Sequence, residues 1–574
     1  MSQIWETPGG IYPPANKRQS LSLPIDYPQL PERLVVPLGQ HAGRPCRACV
    51  EVGQQVLKGE LIGVVDGPLG AAVHAPSSGT VTAIEPRPAG RLSGRPARCI
   101  EIATDGLERW TGRQCVADYR QMSAPQLVDR IAQSGIAGMG GGGFPTAAKL
   151  TTNGLPPIAT IIVNATECEP YVTADESLMR ERADEIIQGI DILAHIHGNR
   201  ARLVIGIEQS KPEALAALRA ACAKSAMEIV EIPRKYPSGG ERQLIYALTG
   251  KELPSGDIPA NIGVICINVA TVYAIKRAVI DGEPLISRVV TVTGGACATQ
   301  RNYQALIGTP IKHLLRHSGV NNDRLNQLIM GGSISGFKLP SDEVPVVKTS
   351  YCILAPDIDE FAPAPPERAC IRCGRCAEVC PASLLPQQLL WHAKAANHQQ
   401  LEEHNLFDCI ECSACNYVCP SHIPLVDYYR AGKVNIDTAR QVKSNAAQAR
   451  QRFEFRQLRL ARLEREQSQR RAARRSAAVP SNAPRAPVAR LSSADIIAAA
   501  QNRAASKQPT VEQALDKLQR NISTLQNRLE LAEQRLVAAS DDPLKKQNSL
   551  RAAVEGARQK LQRAEQRLTE QAHG

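Results

Sequence analysis

Eight cysteines in two spaced runs constrain this chain more than any other feature. Cys370, Cys373, Cys376 and Cys380 stand in CIRCGRCAEVCP, and Cys409, Cys412, Cys415 and Cys419 stand in CIECSACNYVCP. Both follow C-x2-C-x2-C-x3-C-P, in which three thiolates wrap one iron–sulfur cubane while the fourth, redirected beside the proline, reaches the other. The reading is therefore crossed. One [4Fe–4S] cluster takes Cys370, Cys373, Cys376 and Cys419, and the other takes Cys409, Cys412, Cys415 and Cys380. A structural zinc site needs only one set of four thiolates and gives no reason for a second run. LLPQQLLWHAKAANHQQLEEH, between the runs, reads as helical, so residues 361–432 are expected to form a helical double-cluster ferredoxin-like domain.

The chain has 574 residues, enough for about three to five domains. Seventeen cysteines in a chain whose first residues, MSQIWETPGGIYPPANKRQ, lack a charged n-region before an apolar stretch point to a reducing compartment rather than to disulfides. Cys46 and Cys49 form a lone CxxC, and the scattered thiols Cys99, Cys115, Cys222, Cys266, Cys297 and Cys352 read as small buried hydrophobes. The most apolar run, Ile262 to Ile275, is broken by Asn268 and falls short of the roughly 18 residues of a spanning helix, so any membrane attachment is expected to be peripheral. The net charge is +12, yet Lys443 to Arg475 alone holds 11 basic and 3 acidic residues, a net +8. Nucleic acid is not the expected partner, because the chain spends its chemistry on clusters and the tail holds few aromatic residues for base stacking.

The remaining pattern reads as a multidomain α/β chain. Residues 1–110 show short apolar segments between glycines and look like a barrel-sandwich hybrid of the lipoyl type, although no lysine between Gly59 and Pro86 could carry a cofactor. Residues 111–280 alternate strand-like runs (ATIIVNA, ARLVIGI, GVICINVA) with helical stretches such as Pro212 to Ala223, the mark of an α/β sheet with room for a nucleotide-sized ligand. Residues 281–355 read as a β-grasp-like (SLBB-type) module, with Thr309 as N-cap and Pro310 opening a helix that reaches His317. Residues 433–574 form a basic, Ala/Gln/Arg-rich helical tail. Heptad seams run through Val511, Leu515, Leu518, Ile522, Leu525, Leu529, Ala532 and Leu536 and again through Leu550, Val554, Ala557, Leu561, Ala564 and Leu568. With Asp542-Pro543 between them, they read as a coiled-coil hairpin.

The second informative stretch is SGIAGMGGGGFPTAAKL, residues 134–150. Gly138, Gly140, Gly141, Gly142 and Gly143 let the backbone approach a phosphate, and Lys149 adds a cation. This loop resembles GRGGxGFPTGxKW in the FMN-binding subunit of respiratory complex I, and VNATECEP resembles its NADEGEP, through Asn164, Glu167, Glu169 and Pro170. YPSGGERQL, with Tyr236, Gly239, Gly240 and Glu241, is similar to a further glycine-acidic loop of that family. Met139, Thr166 and Cys168 depart from the pattern, on the side where the nicotinamide would lie.

The order of all these segments, from GGIYPP to the double run, resembles the C subunit of the bacterial Rnf electron-transport complex over roughly residues 5–430. The resemblance implies noncovalent FMN, NAD(H) as substrate and two [4Fe–4S] clusters. It also implies a peripheral place on the cytoplasmic face of the inner membrane, against integral-membrane and other subunits that couple electron flow to ion movement. A ferredoxin or another redox protein is the further partner it implies. The competing enzyme reading is the diaphorase subunit of a soluble hydrogenase or formate dehydrogenase.

Overall fold

A computed structural model describes residues 3–476, apart from 68, 91–95, 153, 224 and 362–364. It also describes 519–520, 522–527, 529–530, 533, 554–555, 557–562 and 564–566. The chain divides into two compact units, Met1–Arg452 and Phe453–Gly574.

In the first unit, short strands near the N-terminus make two sheets. Arg33–Pro37, Ala97–Thr104, Gly79–Arg87 and Gln55–Val56 form an antiparallel sheet in that order, and Arg47–Ala48, Leu61–Val64 and Val73–His74 form the other. Alternate residues point inward, so Leu34 and Val36 on one strand and Ile100 and Ile102 on its neighbour are buried. The expected barrel-sandwich pattern is what the chain builds here.

The next four strands form a parallel sheet in the order Glu228–Ile232, Arg202–Glu208, Thr160–Ala165, Val264–Asn268. Helices cover both faces, which is why these strands read as almost continuous apolar runs. The chain leaves Thr160–Ala165 toward one edge and returns on its other side with Val264–Asn268. That reversal opens a crevice beyond the strands' carboxyl ends, where open α/β sheets place ligands. Parallel register sets Asn164 beside Asn268 at the lip of the crevice.

Residues 287–354 form a five-stranded sheet, Arg301–Leu306, Ser287–Thr293, Cys352–Leu354, Ile329–Met330, Phe337–Lys338. Its helix is Ile311–His317, with Pro310 as the flanking N-cap residue at ψ 136°, one position later than the sequence implies. Two buried cations bind this module to its neighbours. The Lys348 ammonium donates to Ala72 O of the barrel and to Gly135 O before the glycine loop, each at 2.6 Å. Arg288 donates to Lys348 O and to Met139 O inside that loop. Burial pulls the Lys348 ammonium down to about 7.

In the cysteine region, the stretch between the runs is helical but breaks into Pro386–Lys394 and His398–Glu403. Leu389, Leu390, Leu401 and Leu406 pack there against Ile423, Leu425, Val426 and Tyr429. Helix Leu425–Ser476 begins in this core; its last buried side chain is Ile436. It runs through the 432/433 boundary drawn from composition. From Gln441 to Ser476 its side chains are exposed except Glu466.

In the second unit, Ile522, Val554 and Ala564 are buried, and Arg558 pairs with Glu533 at 2.8 Å. Seam positions Val511, Leu515, Leu518, Ala532, Leu536, Leu550 and Leu568, and the Asp542-Pro543 turn, lie outside the described residues. Among the described residues, no helix is long and apolar enough to cross a membrane.

Candidate functional site

The crevice beyond the parallel strands is a cleft of about 570 Å³. The glycine loop forms one wall, and it is closed by its own backbone: Gly138 N donates to Phe144 O at 2.8 Å and Gly143 N to Gly138 O at 3.1 Å. Between these bonds Gly141 takes φ +109°, a conformation side chains resist, and a Cβ on Gly142 would meet nothing within 4 Å. Bare backbone therefore faces open space, as a phosphate cradle requires. Gly138, Gly140, Gly142, Gly143, Lys149, Asn164, Glu167, Glu169, Gly239, Gly240 and Glu241 all line the cleft, while Gly141 stands in the loop without lining it. Lys149 is not a free cation there. It pairs with Glu241 and donates to Cys266 O at 2.6 Å, so two expected site residues neutralise one another.

Besides Glu241 and Glu411, three acids line the cleft, and several donors hold two of them. Glu167, at φ +41°, accepts from Asp175 N at 2.6 Å and Glu176 N at 3.1 Å, and it pairs with the fully buried Lys211 at 3.2 Å. Glu169 accepts from Ile334 N at 2.8 Å, and from Ser335 N at 3.1 Å and Ser335 Oγ at 2.9 Å, so the five-stranded unit pins it. Asp175 has only Asn268 Nδ2, at 2.6 Å, as its side-chain donor. Burial, and then the Glu167 charge, push its carboxyl up to about 7.

The cysteines line two further cavities. One of about 140 Å³ has Cys370, Cys373, Cys376 and Cys419 in its wall. The other, of about 20 Å³, has Cys380, Cys409, Cys412 and Cys415. These are the two crossed sets of four. Burial, with Cys409 and Cys380 close by, pushes the Cys412 thiol up to about 12, so thiolates form there only with a strong cation to balance them. Among the described residues no three His, Cys, Asp or Glu side chains converge on a single-ion position. A cubane has no such need, since each thiolate binds a different iron.

The second set shares a wall with the cleft, because Ile410, Glu411 and Cys412 line it too. Several contacts hold that junction. Tyr236 donates from its hydroxyl to Cys412 O at 2.7 Å, and Gln243 Nε2 donates to Pro381 O at 3.2 Å. The N-terminal GGIYPP segment threads between the two parts: Ile11 exchanges backbone bonds with Tyr236, and Gly10 N donates to Val379 O at 2.9 Å. A Cβ at Gly9, φ +56°, would lie 2.6 Å from the Cys380 carbonyl carbon.

Comparison with known proteins gives these cavities a context. Residues 5–107 match the RnfC barrel sandwich hybrid domain, 131–277 the Nuo51 FMN-binding domain and 369–423 a 4Fe-4S dicluster domain. The C subunit of an ion-translocating oxidoreductase complex from Yersinia pestis bv. Antiqua is 50% identical over 461 residues, spanning 80% of this chain and 74% of that one. The chain belongs to this C-subunit family. A Pseudomonas aeruginosa relative of the same name is 52% identical over 83% of this chain, and the match spans 61% of that relative's own length. A NAD+-reducing [NiFe]-hydrogenase structure aligns over 50% of this chain and 56% of its own at 18% identity, with a TM-score of 0.39.

In this member of the C-subunit family several cleft residues escape a reading of motifs. Asp175, Asn268, Thr271 and Tyr351 line the cleft, and Ser335 reaches it from another sheet. Asn268 did leave a signal. It ends a strand and caps helix Val269–Val279, accepting from Ala270 N at 3.0 Å and Thr271 N at 3.4 Å, while Thr271 Oγ1 accepts from Met139 N at 2.9 Å. As sequence it shows only as a polar break in an apolar run.

Proposed function

We propose that this chain is the peripheral electron-transfer subunit of a membrane-bound, ion-translocating oxidoreductase complex, passing electrons between NAD(H), noncovalent FMN and two [4Fe–4S] clusters. The observation that carries the reading is the wall shared by the cleft and the Cys380/Cys409/Cys412/Cys415 cavity. Flavin bound in the cleft supplies the conversion between a two-electron hydride and single electrons. The chain's part is to hold and isolate it. The Gly138–Gly143 backbone takes the phosphate end, Asn164, Asn268 and Thr271 offer polar groups at the strand ends, and Asp175 offers a carboxyl that burial and the Glu167 charge make easier to protonate. Cys370, Cys373, Cys376 and Cys419 hold one cluster, and Cys380, Cys409, Cys412 and Cys415 hold the other.

The finer parts of the reading follow from these. The five-stranded sheet serves as a β-grasp-like module that shapes the cleft through Ser335 and Tyr351. The tail, with its coiled-coil seams, attaches the protein to integral-membrane partners on the cytoplasmic face, where anionic lipid attracts basic residues at about 1 kcal/mol each. Anaerobic reconstitution tests the core of it. The full chain is expected to bind about eight irons with matching sulfide, together with one FMN, and to reduce a dye with NADH. Iron near four, zinc in its place, or no flavin retention overturns the reading.

A further inference from the structure

The glycine loop offers an anion its backbone but no free charge. Its bonds close it at Gly138 and Gly143, and among the described residues the N–H groups of Gly140, Gly141 and Gly142 have no partner. Three successive exposed amides suit an anion. The whole charges around them do not. Glu167, Glu169, Asp175, Glu241 and Glu411 line the cleft against only two cations, Lys149 and Arg242. Lys149 is paired with Glu241, and Arg242 donates to Leu253 O at 3.0 Å and lies 3.8 Å from Asp408.

A further cation stands behind the loop, on the strand Ser287–Thr293 of the five-stranded sheet. Arg288 is 2% exposed, and its donors go to carbonyls alone: Val289 O, Met139 O and Lys348 O. Among the described residues no carboxylate lies within ion-pair distance of it, and Lys348 beside it has only carbonyl partners too. Burial pulls the guanidinium down to about 10, so it stays charged at neutral pH. A buried ion without a counter-ion is costly, and the fold keeps this one. Met139 is the partition between it and the ligand site. That residue lines the cleft on one side and, on the other, a cavity of about 20 Å³ with Arg288 in its wall.

Both polar groups of Met139 are held, its O by Arg288 Nη1 at 3.2 Å and its N by Thr271 Oγ1 at 2.9 Å. The peptide to Gly140 is trans, so its C=O and N–H point opposite ways. The guanidinium that fixes Met139 O therefore turns Gly140 N–H away from itself. We infer that Arg288 is a positioning residue for the flavin phosphate, setting the glycine amides toward the cleft and offsetting the phosphate charge from behind the loop. The inference rests on the flavin reading above and deepens it. It assigns the anion-holding charge to the five-stranded module rather than to Lys149.

The test compares FMN with riboflavin, which has the same ring system and no phosphate, by titrating the flavin-free, cluster-loaded full chain. Arg288→Gln keeps a donor for Met139 O and loses the charge. It is expected to weaken FMN binding by about tenfold or more while riboflavin binding changes by less than about threefold, with iron content unchanged. Arg288→Lys is expected to restore most of the preference for FMN. Removing the other candidate as a pair, in Lys149→Met/Glu241→Gln, should shift that preference less than Arg288→Gln does; the reverse order overturns the assignment. Equal losses for FMN and riboflavin, the mark of a purely structural role, also overturn it, as does wild-type FMN affinity in Arg288→Gln. Should Arg288→Gln not fold, Arg288→Lys decides: a folded chain that keeps the preference supports the inference, and one that has lost it overturns it. Failure of the flavin reading looks different, because the wild type then holds neither flavin. Inorganic phosphate alone settles that case. Stabilisation of the wild type against heat, lost in Arg288→Gln, supports the anion-holding role, and equal or absent stabilisation in both overturns it.

Discussion

Asp175 is the residue where electrostatics and function meet most closely. Its carboxyl is raised from the ordinary value of 3.8 to about 7, first by burial and then by Glu167, which Lys211 and two backbone donors keep in place. Between the usual carboxylate range and about pH 7 the folded chain keeps a proton that the unfolded chain has released. Stability from this group is therefore present near pH 4 and is lost as pH rises toward 7, with a slope of at most about 1.4 kcal/mol per pH unit. Asp175→Asn, nearly the same shape, is expected to flatten the pH dependence of thermal unfolding of the flavin-free protein between pH 5 and 7. An unchanged slope counts against it. Cys419 gives a second prediction at this scale, because its sulfur lines the cavity of Cys370, Cys373 and Cys376. Cys419→Ser should remove the electron-paramagnetic signal of that cluster and spare the other; loss confined to the cluster of its own run would refute the crossed assignment.

Among the elements, the glycine loop and the N-terminal segment each have one job. Gly141 and Gly142 together replaced by valine should abolish flavin retention, because the loop would lose φ +109° and its open face, while iron stays near wild type. Gly9→Val puts a side chain into the Cys380 backbone and should slow electron transfer between cleft and clusters with both cofactors still bound, as stopped-flow reduction of the clusters by NADH would report. The glycine loop was legible through its likeness to GRGGxGFPTGxKW, since a run of glycines by itself fits a flexible turn as readily as a ligand cradle. The parallel strands were legible because burial on both faces leaves an unbroken apolar run. The junction was not, since GGIYPP carries no periodicity and its meaning depends on Tyr236 and Cys380, which are distant in sequence. Asp175 and Ser335 were hidden for the same reason. Their chemistry comes from neighbours that only folding supplies.

For the molecule as a whole, composition placed the end of the redox core near residue 432, but Gly432 and Ile436 are buried in the cluster domain and Lys433 donates to Cys409 O at 2.7 Å. A chain ending after Arg430 should lose iron. One ending after Arg452 should keep iron, flavin and NADH-to-dye activity, with any weakening limited to membrane attachment; iron analysis and dye assays of the two chains separate these outcomes. The Lys348 ammonium makes a different point about the assembly. It is buried and bonded to one carbonyl from the barrel and one from the flavin domain, while its own segment belongs to neither. Recombination between relatives that exchanged only the flavin domain would strand that ammonium against a mismatched carbonyl, a fault of about 1–3 kcal/mol for each buried group left unpaired. These three modules are therefore expected to be exchangeable only together, and an exchange that ends before Cys370 would also have to preserve the bonds from Tyr236, Gln243 and Gly10 to the cluster domain.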